Sequence, residues 1–394
     1  MPPGYRRRGR CTDMTMPATT APERAVQRIA FVCPGGTALR RLREMLVGEL
    51  MSQGRQVLVV APSVSSANAH ALSVMGADHA SYAPETGSSL KLFADWKAIG
   101  AVRHALAAWS PDAVVAYGGQ TMVYGALAAK GAGVARTVVV ADGLPEHRFS
   151  GPLAPDEMPA WRYGQALRAA DAAIFHNGED LALLKKLGVV PAALAVSITP
   201  GIGVDLERLT LQPLPALGQG LVFLMIAGLD RRRGVLDYCA AARALRRRAP
   251  SSRFLLAVLP DAGAHGVDQA ELANCPDIEF VGVAEDHTEL LHEAHVFVYP
   301  SSAEGMPYPV LQAMAAGRPI LTTDVPGCRD TVDERVNGCL VPPREVEALA
   351  EAMESYLRRP DLIPAMARAS RAKVERFASA ASVKRTMLDA LAIG

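Results

Sequence analysis

The turn at residues 304–307 offers the clearest combination of a charged side chain and accessible backbone groups. An apolar strand ends at Tyr299, the sequence EGMP follows as a turn, and Pro309 favours the start of a helix. Backbone N–H groups at a helix start, together with the helix dipole, bind anions such as a diphosphate. Glu304 then either lies beside the group attached to that phosphate or only supports the turn, and the residues alone allow both interpretations.

Apolar runs that alternate with helical patterns place this turn in a repeated strand and helix series. The predicted strands are 28–33, 56–62, 112–119, 137–143 and 172–178 in the first half, and 221–228, 252–260, 278–283, 295–301 and 318–324 in the second. Their apolarity is continuous rather than alternating, as expected for parallel strands covered on both faces. We predict an α/β protein with two doubly wound, Rossmann-like domains that face each other across a cleft.

A segment punctuated by Gly and Pro separates the two series and predicts the domain boundary near residue 205. We expect a disordered tail at 1–27, a first domain at 28–205, a second domain at 206–376 and a C-terminal helix within 377–394. The length of 394 residues is itself typical of two domains rather than one.

Charge and composition exclude several classes of protein. The 41 basic and 40 acidic residues leave no basic excess for nucleic-acid binding, and the apolar runs are far shorter than the ~18 residues of a membrane span. The six cysteines form no C-x-x-C pair and have no zinc-like spacing. We therefore expect a cytoplasmic protein whose partners are small neutral or polar molecules and not nucleic acid.

The stretch at 300–330 resembles the E-x7-E signature region of the retaining GT-B glycosyltransferases of family 4. The resemblance continues through TTDVPGCRDTV (322–332) and NGCLVPP (337–343), and it includes AIFHNGEDLALLKKLGVV and TPGIGVDLERL nearer the N-terminus. Nearly the whole chain from about residue 28 takes part. The subgroup it resembles most comprises bacterial enzymes that extend undecaprenyl-diphosphate-linked oligosaccharides for capsule, O-antigen or exopolysaccharide.

This resemblance implies roles for the residues of the turn. Glu304 matches the first signature glutamate, which holds hydroxyls of the donor sugar, and Gly305, Met306 and Pro307 match the turn whose backbone faces the donor diphosphate. The second signature glutamate, which binds the donor ribose, is replaced by Gln312. An amide oxygen still accepts hydrogen bonds, but it lacks the strength of a charged acceptor.

The resemblance also implies a phosphate clamp of two cations after the strand at 221–228. The family commonly places an arginine and, five residues later, a lysine there, whereas this chain has Gly228 and Arg233. Arg233 can bind two phosphate oxygens with its fork of donors, and Gly228 cannot. The neighbouring Arg231 and Arg232 either compensate for Gly228 or form a solvated loop.

In the first domain, the resemblance places two further segments at the cleft. Gly35 and Gly36 separate a strand from a helix and let the backbone approach a phosphate or the acceptor, although they form no G-x-G-x-x-G fingerprint. After a later strand, Asp142 or His147 would orient or deprotonate the acceptor hydroxyl, as general bases do. We interpret His176, which follows the next strand, as structural.

The activity implied by the resemblance is transfer of a hexose or N-acetylhexosamine, with retention of configuration, from a nucleoside diphosphate sugar to a lipid-linked saccharide. UDP is expected before GDP as the nucleotide. No D-x-D motif is present, so no metal is expected, and no cofactor is expected beyond the donor as co-substrate. By family analogy the last helix, 377–392, crosses back to the first domain.

A polyprenyl-linked acceptor implies work at the inner face of the cytoplasmic membrane. Arg40, Arg41 and Arg43 would then either contact anionic headgroups or form a solvated helix face. Two alternative functions remain: a nucleotide-sugar 2-epimerase, which shares the paired architecture, and a non-catalytic partner subunit. Gly228 and Gln312 motivate the second alternative, and the retained Glu304 and Arg233 argue against it.

Overall fold

The computed structural model describes residues 26–82, 91–144, 158–218, 220–260, 266–283 and 286–393. Up to residue 25, the predicted disordered tail lies outside these residues. The described residues form two parallel β-sheets, each flanked by helices, and so confirm the predicted fold class.

Within the described residues, the first sheet has seven strands in the order β3-β2-β1-β4-β5-β6-β7. The strands are β1 Arg28–Val32, β2 Gln56–Ala61, β3 Asp78–Ser81, β4 Ala113–Tyr117, β5 Arg136–Ala141, β6 Ala172–Phe175 and β7 Ala195–Ile198. The helices are α1 Gly36–Leu42, α2 Gly48–Ser52, α3 Ser66–Met75, α4 Lys91–Trp109, α5 Gly119–Gly131, α6 Ala160–Ala169 and α7 Gly178–Lys186, with a π-helical turn at Arg43–Val47 joining α1 to α2. The sequence did not predict β3 and β7, because these edge strands are short and contain no buried residue.

The second sheet has six strands in the part of the chain that the structure describes, in the order β10-β9-β8-β11-β12-β13. The strands are β8 Val222–Gly228, β9 Arg253–Leu259, β10 Glu279–Val283, β11 Val296–Tyr299, β12 Ile320–Thr323 and β13 Gly338–Val341. The helices are α8 Val235–Arg246, α9 Gln269–Ala273, α10 Tyr308–Ala315, α11 Val346–Arg358 and α12 Ile363–Phe377. The sequence did not predict the outermost strand β13, in which only two of four residues are buried.

Each sheet has its own apolar core, and burial of that core holds the loops at the strand ends in place. In the second domain the rings of Phe223 and Phe254 stack at 5.6 Å and Phe297 is fully buried beside them. In the first domain Phe31 and Val115 of the central strands are fully buried. Burying a side chain of this size stabilises the fold by about 1.5–3 kcal/mol.

The chain passes between the domains twice, and the two passages lie side by side. Val204, at the first passage, donates its N–H to the Ala378 carbonyl at 2.8 Å and accepts from the Ala380 N–H at 2.9 Å. The final helix, α13 Ala380–Ala390, then returns to the first domain, where Met387 and Leu391 enter the core. The C-terminal end of the chain is therefore part of the first domain's core.

Candidate active site in the interdomain cleft

The cleft between the domains lies at the carboxyl ends of both sheets. The strand order reverses beside β1 in the first sheet and beside β8 in the second, and ligands of open α/β sheets bind at such points. The predicted site residues that line the cleft are Gly35, Asp142, Arg233, Glu304, Met306 and Pro307. The fold thus brings together side chains that lie up to about 270 positions apart in the sequence.

Glu304 is held in place by neighbours from its own domain. Its side chain is 7 % exposed, and Oε1 accepts hydrogen bonds from the Tyr299 hydroxyl at 2.8 Å and from Ser301 Oγ at 3.2 Å. Burial raises the pKa of Tyr299 to about 12, so the hydroxyl keeps its proton and remains a donor. The carboxylate is therefore fixed just before α10, whose first residue, Tyr308, follows the N-cap Pro307.

Arg233 contacts both this carboxylate and Tyr299, one of the two residues that hold it. Its guanidinium forms an ion pair with Glu304, and its Nη1 donates to the Tyr299 hydroxyl at 3.0 Å. The Arg233 side chain is 37 % exposed, so it also faces the open cleft. The structure therefore places the predicted sugar-binding carboxylate and the predicted phosphate-binding cation in direct contact.

Arg231 and Arg232, which precede Arg233 in the sequence, are both paired with carboxylates, so neither side chain is freely solvated. Arg232 lines the cleft and pairs with Asp230 at 2.7 Å. Arg231 pairs with Glu271 at 2.5 Å and is half-exposed. The solvated-loop interpretation is thus wrong for Arg232, because Asp230 orders its side chain through bonds to both the backbone and the guanidinium.

Gly305 is the point at which the backbones of the two domains meet. A Cβ at Gly305 would lie 2.1 Å from the carbonyl oxygen of Asp142 and 2.8 Å from the nitrogen of Gly143. Asn177 of the first domain donates its Nδ2 to the Gly305 carbonyl at 3.0 Å. Only glycine permits this approach, and Gly143 itself has φ of +130°. That Gly305 also faces a diphosphate stays a prediction.

Asp142 presents a first-domain carboxyl group to the same cleft. Burial raises the pKa of this carboxyl above its usual range, while the positive charges of Arg233 and Arg41 act in the opposite direction. An aspartate with a raised pKa accepts a proton more readily near neutral pH than an ordinary one. The position suits Asp142 to orient a hydroxyl or to take its proton.

The remaining predicted site residues do not line this cleft among the described residues. Gly36 is exposed and has φ of +62° at the start of α1. Gln312, on α10, lines an adjoining pocket together with Ile202 and Leu259. His147 lies outside the described residues. Across the described ranges, no three His, Cys, Asp or Glu side chains are grouped as metal ligands.

His176, for which the sequence predicts a structural role, lines the cleft. It is 4 % exposed, and its ring centroid lies 5.7 Å from that of Tyr117. Burial lowers the pKa of His176 to about 4, so the ring is neutral at physiological pH. The signal that identifies it is a polar residue directly after a buried strand, the same signal that selected Asp142.

We expect the buried His176 ring to make folding stability depend on pH. The folded pKa of about 4 lies below the ordinary value of 6.5, so the unfolded chain binds the proton first and stability falls as the pH drops from 6.5 towards 4. The full effect is ~3 kcal/mol. Urea unfolding between pH 7.5 and 4.5 should show a smaller loss for His176→Phe than for the wild type, while His104→Gln, on the exposed face of α4, should behave like the wild type. Identical curves for His176→Phe and the wild type would contradict the assignment.

Arg40, Arg41 and Arg43 face other parts of the protein, so neither the headgroup nor the solvated-face interpretation is correct for them. The Arg40 side chain is 14 % exposed and pairs with Asp286 of the second domain at 3.0 Å. Arg43, at 15 % exposed, donates to Asn68 at 3.1 Å. Arg41 lines the cleft. In the part of the chain that the structure describes, no helix is long and apolar enough to cross a membrane.

Two family models match the chain, and together they account for more than three quarters of it. Residues 36–201 match the glycosyl transferase 4-like domain, and residues 220–359 match the domain of the glycosyl transferases group 1. By its two domains, the chain belongs to the family-4-like glycosyltransferases. The first match ends before Val204, where the chain first passes between the domains, and the second match begins after it. Each sheet therefore corresponds to one of the two domain types.

Curated relatives of this family resemble the chain over part of their length. A putative colanic acid biosynthesis glycosyltransferase, WcaL of Salmonella typhimurium, is 28 % identical over 207 residues, which cover 50 % of each chain. Glycogen synthase of Mycobacterium tuberculosis is 33 % identical over 162 residues, covering 38 % of this chain and 37 % of its own. The chain spans about half the length of the first of these relatives and less of the second.

Solved structures resemble the chain over nearly its whole length. HepE of Anabaena, in complex with UDP, superposes with a TM-score of 0.70 over 93 % of this chain and 99 % of that one, at 16 % identity. Sucrose-phosphate synthase of Thermosynechococcus elongatus superposes with a TM-score of 0.73 over 92 % and 98 %, at 20 % identity. At these identities the likeness concerns the fold, which is GT-B-like.

Proposed function

We propose that this chain transfers a sugar from a nucleoside diphosphate donor to a saccharide acceptor in the synthesis of a surface polysaccharide. The observation that carries the proposal is the contact between Glu304 and Arg233 at the start of α10, inside a cleft to which both domains contribute. A carboxylate suits sugar hydroxyls and a guanidinium suits phosphate oxygens, so the pair fits the two halves of such a donor.

On the donor side, the second domain supplies both ligands. Tyr299 and Ser301 keep Glu304 in place when Arg233 exchanges its carboxylate partner for the diphosphate. The start of α10 adds backbone N–H groups and the positive end of its dipole, which stabilise the charge that develops on the leaving diphosphate. The second domain thus holds the donor at both its sugar and its phosphates.

On the acceptor side, Asp142 belongs to the first domain and lies next to the same cleft. In a reaction that retains configuration by front-face attack, the departing phosphate oxygen shares in removing the acceptor's proton, and Asp142 orients the hydroxyl. We propose further that the acceptor saccharide is lipid-linked and that the reaction takes place at the inner face of the cytoplasmic membrane. A relative from Campylobacter jejuni, 29 % identical over 136 residues, bears the name of a transferase acting on a diphospho-undecaprenol saccharide.

Thermal-shift titration with UDP- and GDP-sugars tests the proposal. We expect one donor, with UDP before GDP, to stabilise the wild type, since a ligand at a hundred times its dissociation constant adds ~2.7 kcal/mol to the free energy of unfolding. Arg233→Ala should lose this stabilisation. The matched control is Arg231→Ala, because Arg231 pairs with Glu271 and should leave donor binding unchanged.

The alternative functions give different results in the same system. A partner subunit without catalysis would bind a donor but release no nucleoside diphosphate when polyprenyl-diphosphate saccharides are supplied as acceptors. A nucleotide-sugar 2-epimerase would convert the donor sugar without any acceptor. No stabilisation by any UDP- or GDP-sugar would contradict the proposal.

A further inference from the structure

Among the described residues, the two second-domain arginines that line the cleft are paired with carboxylates. Arg232 lies against Asp230 and Arg233 lies against Glu304. Gly228, the last residue of β8, lines the cleft without a side chain. A diphosphate brings at least two negative charges, so a further cation would strengthen its binding.

Arg41 of the first domain brings a cation to this place from across the cleft. It lies on α1, lines the same cleft as Gly228, and its guanidinium carbon is 4.4 Å from the centroid of the Tyr308 ring. Tyr308 is the first residue of α10, the helix whose start faces the proposed phosphate site. Burial raises the pKa values of Asp142 in the first domain and Tyr299 in the second, and the positive charge of Arg41 acts in the opposite direction on both. Arg41 therefore lies near cleft residues of both domains.

We propose that Arg41 binds the donor diphosphate from the first domain and supplies the cation that Gly228 lacks. This inference rests on the proposed function, because it assigns a residue to the same donor. Stacking on Tyr308 holds the guanidinium plane beside the start of α10, and the fork of donors fits phosphate oxygens. The donor is then bound by both domains at once, so its binding favours the closed cleft.

Calorimetric titration with UDP, GDP and the corresponding nucleosides tests this role. We expect Arg41→Gln to weaken binding of the preferred nucleoside diphosphate about 10- to 100-fold, because a charged hydrogen bond is lost, and to leave the affinity for the nucleoside unchanged. Arg41→Lys retains the charge and should recover much of the loss. Arg43→Gln is the control, since Arg43 lies on the same helical stretch but donates to Asn68.

The affinities of Arg41→Gln decide whether Arg41 binds the donor diphosphate. Equal affinities of Arg41→Gln and the wild type for the diphosphate would overturn the inference. An equal loss for nucleoside and diphosphate would also overturn it, since it would indicate a structural role at Tyr308. If the wild type binds neither UDP nor GDP, the proposed function itself is wrong; if the wild type binds one of them and Arg41→Gln binds it equally well, only the role of Arg41 is wrong.

Discussion

Glu304→Ala is expected to reduce the release of nucleoside diphosphate from the donor by about 100-fold, because a charged hydrogen-bond acceptor for the sugar is lost. The side chain is only 7 % exposed, and its position is fixed by Tyr299 and Ser301. The measurement is the rate of nucleoside diphosphate release in the presence of acceptor, together with the affinity for the donor.

Two variants separate the role in the reaction from a role in folding. Glu304→Gln keeps the size of the side chain and can still accept a hydrogen bond from Tyr299, so it should retain stability while losing much of the activity. Glu271→Ala removes another glutamate that pairs with an arginine, Arg231, outside the cleft, and it should leave the rate unchanged. Wild-type rates in a folded Glu304→Ala protein would contradict the assignment.

Gly305→Ala is the second change from which we expect a large effect, because it would separate the domains rather than unfold them. The added Cβ would lie 2.1 Å from the Asp142 carbonyl oxygen, a distance at which the backbone must move. Asp142 and Glu304 would move apart, and a displacement of about 1 Å can cost about 100-fold in rate. We expect that loss in turnover and a larger radius of gyration by small-angle scattering.

The control for this prediction is Gly100→Ala. Gly100 lies within α4, and a Cβ there would meet no atom within 4 Å. This change should leave turnover and radius of gyration unchanged and stabilise the helix by up to about 1 kcal/mol. If Gly305→Ala shows wild-type turnover, the contact between Gly305 and Asp142 is not needed for the active form.

The central strands could be predicted from the sequence because burial on both faces leaves a continuous apolar run. β1 and β4, at the centre of the first sheet, are almost entirely buried and were predicted within two residues at each end. The edge strand β3 is mostly exposed, so its residues carry no such run, and its place is set by pairing with β2. Of the four edge strands in the described sheets, only β10 carries an apolar run that predicts it, so the other three are set by pairing with a neighbour.

The candidate site could be predicted only in part, for a similar reason. Glu304 follows a strand end that is visible in the sequence, whereas Arg233 is identified only by the family resemblance of the segment after β8. The reach of Arg41 to Tyr308 depends on how α1 of one domain lies against α10 of the other, which no local pattern contains. The contact of Gly305 with the Asp142 backbone likewise exists only when the domains meet.

The two passages of the chain between the domains limit how the cleft can open. Val204 on one passage is hydrogen-bonded to Ala378 and Ala380 on the other, so both cross at a single place. Two separate connections would resist rotation, whereas one joined pair acts as an axis about which the domains can turn. The distance between the domains is then constant at this axis and changes most at the far rim of the cleft.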